Sequence, residues 1–405
     1  MKKVIFAVAA AAVYGVSAGE VQEKALETSL PSIFERSAAH YRAIDAKATP
    51  LMKGADGKDM FPNSWDAKTG QLAMRSIFNW TSGHFPGTIW YLYEATKDAA
   101  LKDMAVKWTE RLAPNSTADT NHDLGFIMYC SFGNARRLLK TDRYDALLVE
   151  TADTLSKRYS PDLGLIRSWG KRDEKKNFLV IPDNLMNLEL MEAATRISGN
   201  RKFDEIARSH ATVTAKHHFR ADGGCYHVLD YDQDTKRVKE VKRGQGASCE
   251  TAWSRGQSWA IYGYTMMFRE TKEPLFLEMA MKCADFAVNN PNMPEDGVPY
   301  WDYGAPGEER DTSAASILAS ALLELSTLAP AAKGAAYREF AVKTITSLST
   351  PAYFAAPGEN GDFLLKHGVG HKPGGSQIDT PLVYGDYYFA EALVRFRRLR
   401  AGGSL

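Results

Sequence analysis

A short polar turn returns along this chain, each time between an evenly apolar segment and an amphipathic one. Clear examples are Ala95-Thr96-Lys97-Asp98, Lys140-Thr141-Asp142-Arg143, Ser198-Gly199-Asn200-Arg201 and Glu270-Thr271-Lys272-Glu273. A fifth, less polar, runs from Leu328 to Gly334, with Pro330 and Gly334 as helix breakers. After the turns, sets such as Leu101, Met104, Ala105, Trp108 and Phe203, Ile206, Ala207, His210 keep the spacing of one helix face. Before them lie more evenly apolar stretches, for example Leu185 to Ile197 and Trp259 to Phe268. A helix that is apolar all round is buried, and an amphipathic one meets solvent. Five or six such pairs predict an all-α toroid, an inner ring of buried helices wrapped by an outer ring. Helices from about Ala25 to Ala46 and from Tyr387 to Arg398 supply the remaining partners. An open stack of helix pairs is the alternative, because the pattern alone does not close a ring. Strand-like pieces are few: Leu165 to Trp169 and Cys225 to Leu229 read as short hairpin arms.

The first 18 residues read as a secretory leader. Lys2 and Lys3 open it, Val4 to Val13 is apolar, and Val16-Ser17-Ala18 offers small residues for cleavage before Gly19. The apolar run is too short for a membrane-spanning helix, and no later stretch reaches that length. The expectation is an exported protein, periplasmic in a Gram-negative source, with residues 19–405 as one catalytic domain. Fifty Lys and Arg balance 49 Asp and Glu. That balance argues against a nucleic-acid surface. Aromatic residues make up 11% of the chain, a composition that suits ring-stacking ligands such as sugars. The four Cys (Cys130, Cys225, Cys249, Cys283) form no C-x-x-C pair and are expected to be buried free thiols.

Polar residues collect just before the inner helices. Trp80 and His84 flank two Gly ahead of Trp90-Tyr91-Leu92-Tyr93, a candidate sugar-stacking lip or simply a packed turn. His122-Asp123 closes the loop from Asp119 and precedes Ile127, Met128, Tyr129 and Phe132. Asp183 follows Pro182 between apolar runs. Both Asp residues are also possible helix caps. A carboxyl in apolar surroundings is costly to ionise, so Asp183 is expected to hold a proton near neutral pH. A protonated acid beside an ionised one is a pattern for acid/base sugar chemistry. In Trp253-Ser254-Arg255-Gly256-Gln257-Ser258-Trp259, Arg255 and Trp259 share one helix side, which suits a carboxylate held against a sugar ring. Gln245 and His227 stand at further segment starts, and Asp311 reads as a helix cap. No H-E-x-x-H, paired-Cys or Walker motif is present, so neither metal nor nucleotide is expected. His217-His218 is read as structural.

Together these segments resemble the unsaturated glucuronyl hydrolases, family 88 of the glycoside hydrolases. The resemblance rests on Trp80-Thr81-Ser82-Gly83, His122-Asp123-Leu124-Gly125-Phe126, Pro182-Asp183-Asn184-Leu185 and the stretch from Trp253 to Gly263. Asp311-Thr312-Ser313 and Tyr384-Gly385-Asp386-Tyr387-Tyr388 continue it. It implies an (α/α)6 barrel, no cofactor or metal, and oligosaccharides ending in a 4,5-unsaturated uronic acid as substrates. By resemblance Asp183 is the general acid/base and Asp123 the second carboxylate. Trp80, His122, His227, Gln245, Arg255 and Trp259 would bind the unsaturated sugar. Lys372, with His367 and His371 in the loop from Lys366 to Pro373, is a candidate for a sulfate on the neighbouring sugar, or part of a solvated turn. No nucleic-acid or membrane partner is expected after leader cleavage, and the oligomeric expectation is a monomer or weak dimer. A sister family acting on unsaturated rhamnogalacturonyl disaccharides shares fold and chemistry. A sugar epimerase using His122 and His227, and a non-catalytic glycan-binding protein, are the rivals from other classes.

Overall fold

Helix α1 (Ala18–Ala48) opens the part of the chain seen in the computed structural model, which describes residues 18–119, 122–403 and 405. The leader expected over residues 1–18 lies outside these, apart from its last position. Helices then alternate between two layers. The outer layer is α1, α3 (Ala99–Glu110), α5 (Asp145–Ser156), α7 (Lys202–His217), α9 (Pro274–Val288) and α11 (Ala331–Leu348). The inner layer is α2 (His84–Thr96), a π-helix (Gly125–Gly133) continued by α4 (Asn134–Leu139), α6 (Asn184–Ser198), α8 (Ser254–Thr271), α10 (Thr312–Leu328) and α12 (Val383–Arg400).

The burial pattern follows from the sequence pattern. In α8 every residue from Ser254 to Met267 is buried, and in α10 every residue from Thr312 to Leu325. Outer α3 buries only Leu101, Ala105, Trp108 and Thr109, one stripe at helical spacing. Each inner helix packs on the next around the ring, and α12 returns to α2. The ring is therefore closed, and the alternative of an open stack falls. Across its axis Glu391 of α12 accepts hydrogen bonds from Tyr91 (2.6 Å), Tyr262 (3.0 Å) and Ser320 (2.6 Å). One buried carboxylate thus ties α2, α8 and α10 to α12.

The polar turns that revealed the helix pairs are C-caps. Lys97, Lys140, Gly199 and Lys272 each take a left-handed conformation, with φ of 61°, 49°, 72° and 58°. In each, the cap N–H returns to the carbonyl four residues earlier, which ends the helix and reverses the chain. Strands are more numerous than expected. The hairpin β1 (Met60–Asp66) with β2 (Gln71–Ser76) was not anticipated. The two expected arms are present: β4 (Leu165–Ile166) pairs with β3 (Tyr159–Ser160). β6 (Val228–Tyr231) joins β5 (Leu179–Val180) and β7 (Val238–Lys242) in the order β5-β6-β7. All four Cys are free thiols; Cys130, Cys225 and Cys283 are buried and Cys249 is partly buried. His217-His218 ends α7, and His218 is fully buried against Tyr231.

Candidate active site

All six inner helices begin at the same end of the ring, where a cavity of about 260 Å³ is lined by Trp80, His122, Asp123, Asp183, Gln245 and Arg255 among others. Residues far apart in the chain meet there because most stand at the entrance of an inner helix, while Gln245 reaches it from the loop after Lys242. Asp183 immediately precedes α6, yet its side chain makes no capping bond. Its Oδ2 is buried and has no hydrogen-bond partner in the protein. The capping reading therefore fails for Asp183. It holds for Asp311, whose carboxylate accepts from Ser313 N at 3.0 Å.

The segment carrying Asp123 is brought against α6 by Gly125. A Cβ on Gly125 would lie 2.6 Å from the Cα of Asn187, so only glycine permits this approach. The Asn187 carboxamide then bridges the two sides. Its Oδ1 accepts from Phe126 N (3.0 Å), and its Nδ2 donates to the Asp183 carbonyl (3.2 Å). Phe126 lies in the first turn of the π-helix, a form that often marks functional sites.

Burial pushes both carboxyls up. Asp123 rises to about 8 through burial and then the nearby Asp183 charge, with Arg158 opposing. Asp183 rises to about 7 through burial, with Arg255 opposing. Two such groups titrate as a pair, and near neutral pH the pair retains a proton. The flanking histidines are neutral. Burial first, then Arg158, holds His122 well below its ordinary value, and its Nε2 lies 3.2 Å from Asp123 Oδ1. His227 is lowered to about 3 by burial and then by Arg255. Gln245 N donates to His227 Nδ1 at 2.7 Å, so the ring proton sits on Nε2, 3.9 Å from Asp183 Oδ2. His227 is thus beside the catalytic candidate although it does not line the cavity.

Arg255 occupies the wall, but its expected role changes. Its guanidinium lies between the rings of Trp253 (4.3 Å) and Tyr384 (5.2 Å), not beside Trp259. Its terminal nitrogens donate to Asp311 (3.0 Å), Gln245 (3.0 Å), the Gly370 carbonyl (2.6 Å) and the Val369 carbonyl. These bonds engage both terminal nitrogens, so Arg255 anchors the loop at Val369 and Gly370 instead of presenting a free fork to a carboxylate. Its charge still acts on Asp183 and His227.

Three further expectations are corrected. Trp259 is fully buried between Phe126 and Tyr388, with ring centroids at 5.1 Å from each. Four residues along α8 from Arg255 is one full helical turn deeper, below the cavity floor. Lys372 does not line the cavity; Glu308 and Glu309 hold its ammonium, which lies over the Trp301 ring. His84 is likewise no lip: it is buried, with Nδ1 on the Thr81 carbonyl. Trp80 remains at the cavity, its ring 4.7 Å from that of Tyr384. Sequence reasoning missed Trp169 and Gln377, which also line it, as does His371 of the loop from Lys366 to Pro373. Trp169 is 39% exposed, and a Trp followed by Gly at the end of a hairpin arm was the available signal.

A larger cavity, about 500 Å³, opens at the opposite end of the ring. Its charges are paired: Arg269 with Glu189, Glu270 and Glu324, Arg196 with Glu270, and Arg395 with Glu324 and Glu391. Size alone favours it, but the unpartnered carboxyl oxygen and the protonated pair stand in the smaller one. Among the described residues no cluster of three metal-ligating side chains occurs. Nor is any described helix long and apolar enough to cross a membrane.

Residues 56–398 match the model of Glycosyl Hydrolase Family 88. The chain is 40% identical over 366 residues to an unsaturated glucuronyl hydrolase of Formosa agariphila, covering 89% of this chain and 90% of that protein. It is 32% identical to an unsaturated chondroitin disaccharide hydrolase of Streptococcus pyogenes, covering 84% and 86%. Among solved structures it resembles an unsaturated glucuronyl hydrolase specific for heparin, with TM-score 0.85, 39% identity and coverage of 91% and 98%. An unsaturated glucuronyl hydrolase from Streptococcus agalactiae superposes with TM-score 0.83 at 27% identity, covering 92% of each chain. With the closed ring of helix pairs and the paired carboxyls at its mouth, these matches show that the chain belongs to glycoside hydrolase family 88.

Proposed function

We propose that this protein removes a 4,5-unsaturated uronic acid from the non-reducing end of oligosaccharides made by polysaccharide lyases, glycosaminoglycan-derived ones in particular. The observation that carries the reading is the pair of largely enclosed, proton-retaining carboxyls, Asp123 and Asp183, in one cavity. The C4 carbon of the substrate is nucleophilic because the ring oxygen donates electrons into the double bond. The Asp183 carboxyl gives its proton to C4, and positive charge grows at C5 and the ring oxygen. The coupled pair keeps one proton; with that proton on Asp183, Asp123 is the ionised partner and stabilises the charge. Water adds at C5 and returns its proton to Asp183, so the net change is addition of one water. The hemiketal opens and expels the rest of the chain. His122 orients Asp123 through its Nε2, and the neutral His227 points an N–H toward Asp183. Trp80 offers a ring face to the sugar. No step calls for a metal or an organic cofactor.

The same reading includes export: residues 1–18 supply the leader pattern, and in a Gram-negative source the enzyme works in the periplasm. Asp183→Asn keeps the fold and binding but abolishes the loss of absorbance at about 235 nm from unsaturated disaccharides. Turnover near that of the unaltered protein would refute the assignment. An unchanged chromophore with the unaltered protein, on chondroitin, heparin and hyaluronan disaccharides alike, would refute the function.

A further inference from the structure

The β5-β6-β7 sheet stands on the rim of the cavity. β5 runs into Ile181 and Asp183, β6 leaves from His227, and β7 leads to Gln245. The loop after Trp169 lies against this sheet, because Lys239 Nζ donates to the Lys176 carbonyl at 3.2 Å. Residues 171–176 and 232–243 therefore form one face beside the cavity mouth. They hold nine Lys and Arg against five Asp and Glu, a surplus of four, whereas the whole chain carries +1.

Part of this charge is compensated: Arg172 is paired with Asp119, Lys236 with Asp162 and Lys242 with Glu240. Lys171, Lys175, Lys176 and Arg237 are exposed and enter no ion pair among the described residues. Lysines on an open edge strand commonly serve to prevent edge-to-edge pairing. That role fits Lys239 and Lys242 of β7, but the four unpaired charges lie outside the strand, in the loop and at the turn. Exposed like charges held on one face raise the local potential and draw in an oppositely charged chain. Trp169, exposed at the lip, stands between this face and the cavity.

We propose that this face is a docking surface for the uronate- or sulfate-bearing stretch of an acidic glycan whose non-reducing end lies in the cavity. The proposal rests on the function given above and assigns a place on the protein to the remainder of a longer polyanionic chain.

The test combines Lys171→Glu, Lys175→Glu, Lys176→Glu and Arg237→Glu in one variant, none of them in the site. Fluorescein-labelled intact chondroitin sulfate, which has no unsaturated end, reports docking apart from chemistry. The unaltered protein binds it with an affinity that falls steeply with added salt, and the variant binds at least tenfold more weakly. On unsaturated chondroitin disaccharide the variant keeps its kcat/KM, while on an unsaturated octasaccharide its KM rises at least tenfold with kcat unchanged. Equal binding by the two proteins, equal losses on both substrates, or tighter binding of duplex DNA than of the glycan would overturn the proposal. If no unsaturated substrate is turned over but chain binding still depends on the four charges, the docking face stands and the catalytic reading falls.

Discussion

Replacing Asn187 by Leu tests whether the two carboxyls work as a geometrically fixed pair. Asn187 is buried, and its carboxamide receives Phe126 N at 3.0 Å and donates to the Asp183 carbonyl at 3.2 Å. Leucine is close in size, so the change leaves no large cavity but strands a buried backbone N–H and removes a second bond. One stranded donor and one lost hydrogen bond together cost about 2–4 kcal/mol. The catalytic effect has another origin. The side of the site bearing Asp123 and the turn bearing Asp183 lose their bridge, and a shift of about 1 Å in a reacting group costs on the order of 100-fold in rate. We expect a melting point lower by several degrees and a kcat reduced roughly 100-fold with KM changed little. A disaccharide absorbance assay and thermal unfolding measure the two effects separately. Coupling supplies the decisive comparison: in an Asp123→Asn background, where the pair is already broken, Asn187→Leu should cost little further activity while its stability loss remains. Full kcat in the single variant, or an additive loss in the double variant, would show that Asn187 only holds the fold together.

Activity should fall as pH rises above about 8, where the coupled pair gives up its last proton and Asp183 has none to donate; an alkaline limb absent from the kcat/KM profile would contradict the assignment. Stability should show the opposite sign from an ordinary surface carboxylate. The folded protein holds protons on Asp123 and Asp183 that the unfolded chain releases near pH 4, so their presence weakens the fold progressively from about pH 4 to pH 8. Asp123→Asn is thus expected to raise the melting point by a few degrees at pH 8 and by almost nothing at pH 4; a pH-independent difference would count against burial as the cause. Lys372→Ala should leave rates on sulfated and unsulfated disaccharides in the same ratio, since Glu308 and Glu309 already neutralise its ammonium; a selective loss on the sulfated substrate would restore a sulfate-binding role.

The ring was legible because helix pairing is written locally. An all-round apolar stretch such as Trp259 to Phe268 and a striped one such as Leu101 to Trp108 differ within a few residues, and the left-handed caps at Lys97 and Lys272 lie in the turns between. Asp183 was legible for a related reason: a carboxylate wedged between apolar runs at an inner-helix entrance has few surroundings other than a cleft, and Asp123 stood out because it closes a polar loop just ahead of a buried helix. The roles of Arg255, Trp259 and Lys372 were not, because each depends on partners distant in sequence. Arg255 is engaged by carbonyls more than a hundred positions away, and Lys372 by glutamates more than sixty positions away. The π-helix was hidden for another reason. Gly125 to Gly133 is apolar on nearly every side, so no stripe distinguishes its wider turn from an α-helix. Asn187 drew no notice because an amide inside an apolar helix shows its purpose only when the neighbouring backbone is in view.

Beneath Trp80 and Tyr384 the ring is plugged by Phe126, His84, Trp259 and Tyr388, whose rings touch one another and meet no solvent. The reactive cup is consequently a blind hole with a single opening. A polymer can insert its tip but cannot thread through, so degradation proceeds by one terminal unit per visit and internal linkages stay out of reach. The severed remainder and the freed monomer both have to leave through the mouth by which the chain entered, because the stopper of aromatic rings closes the far side.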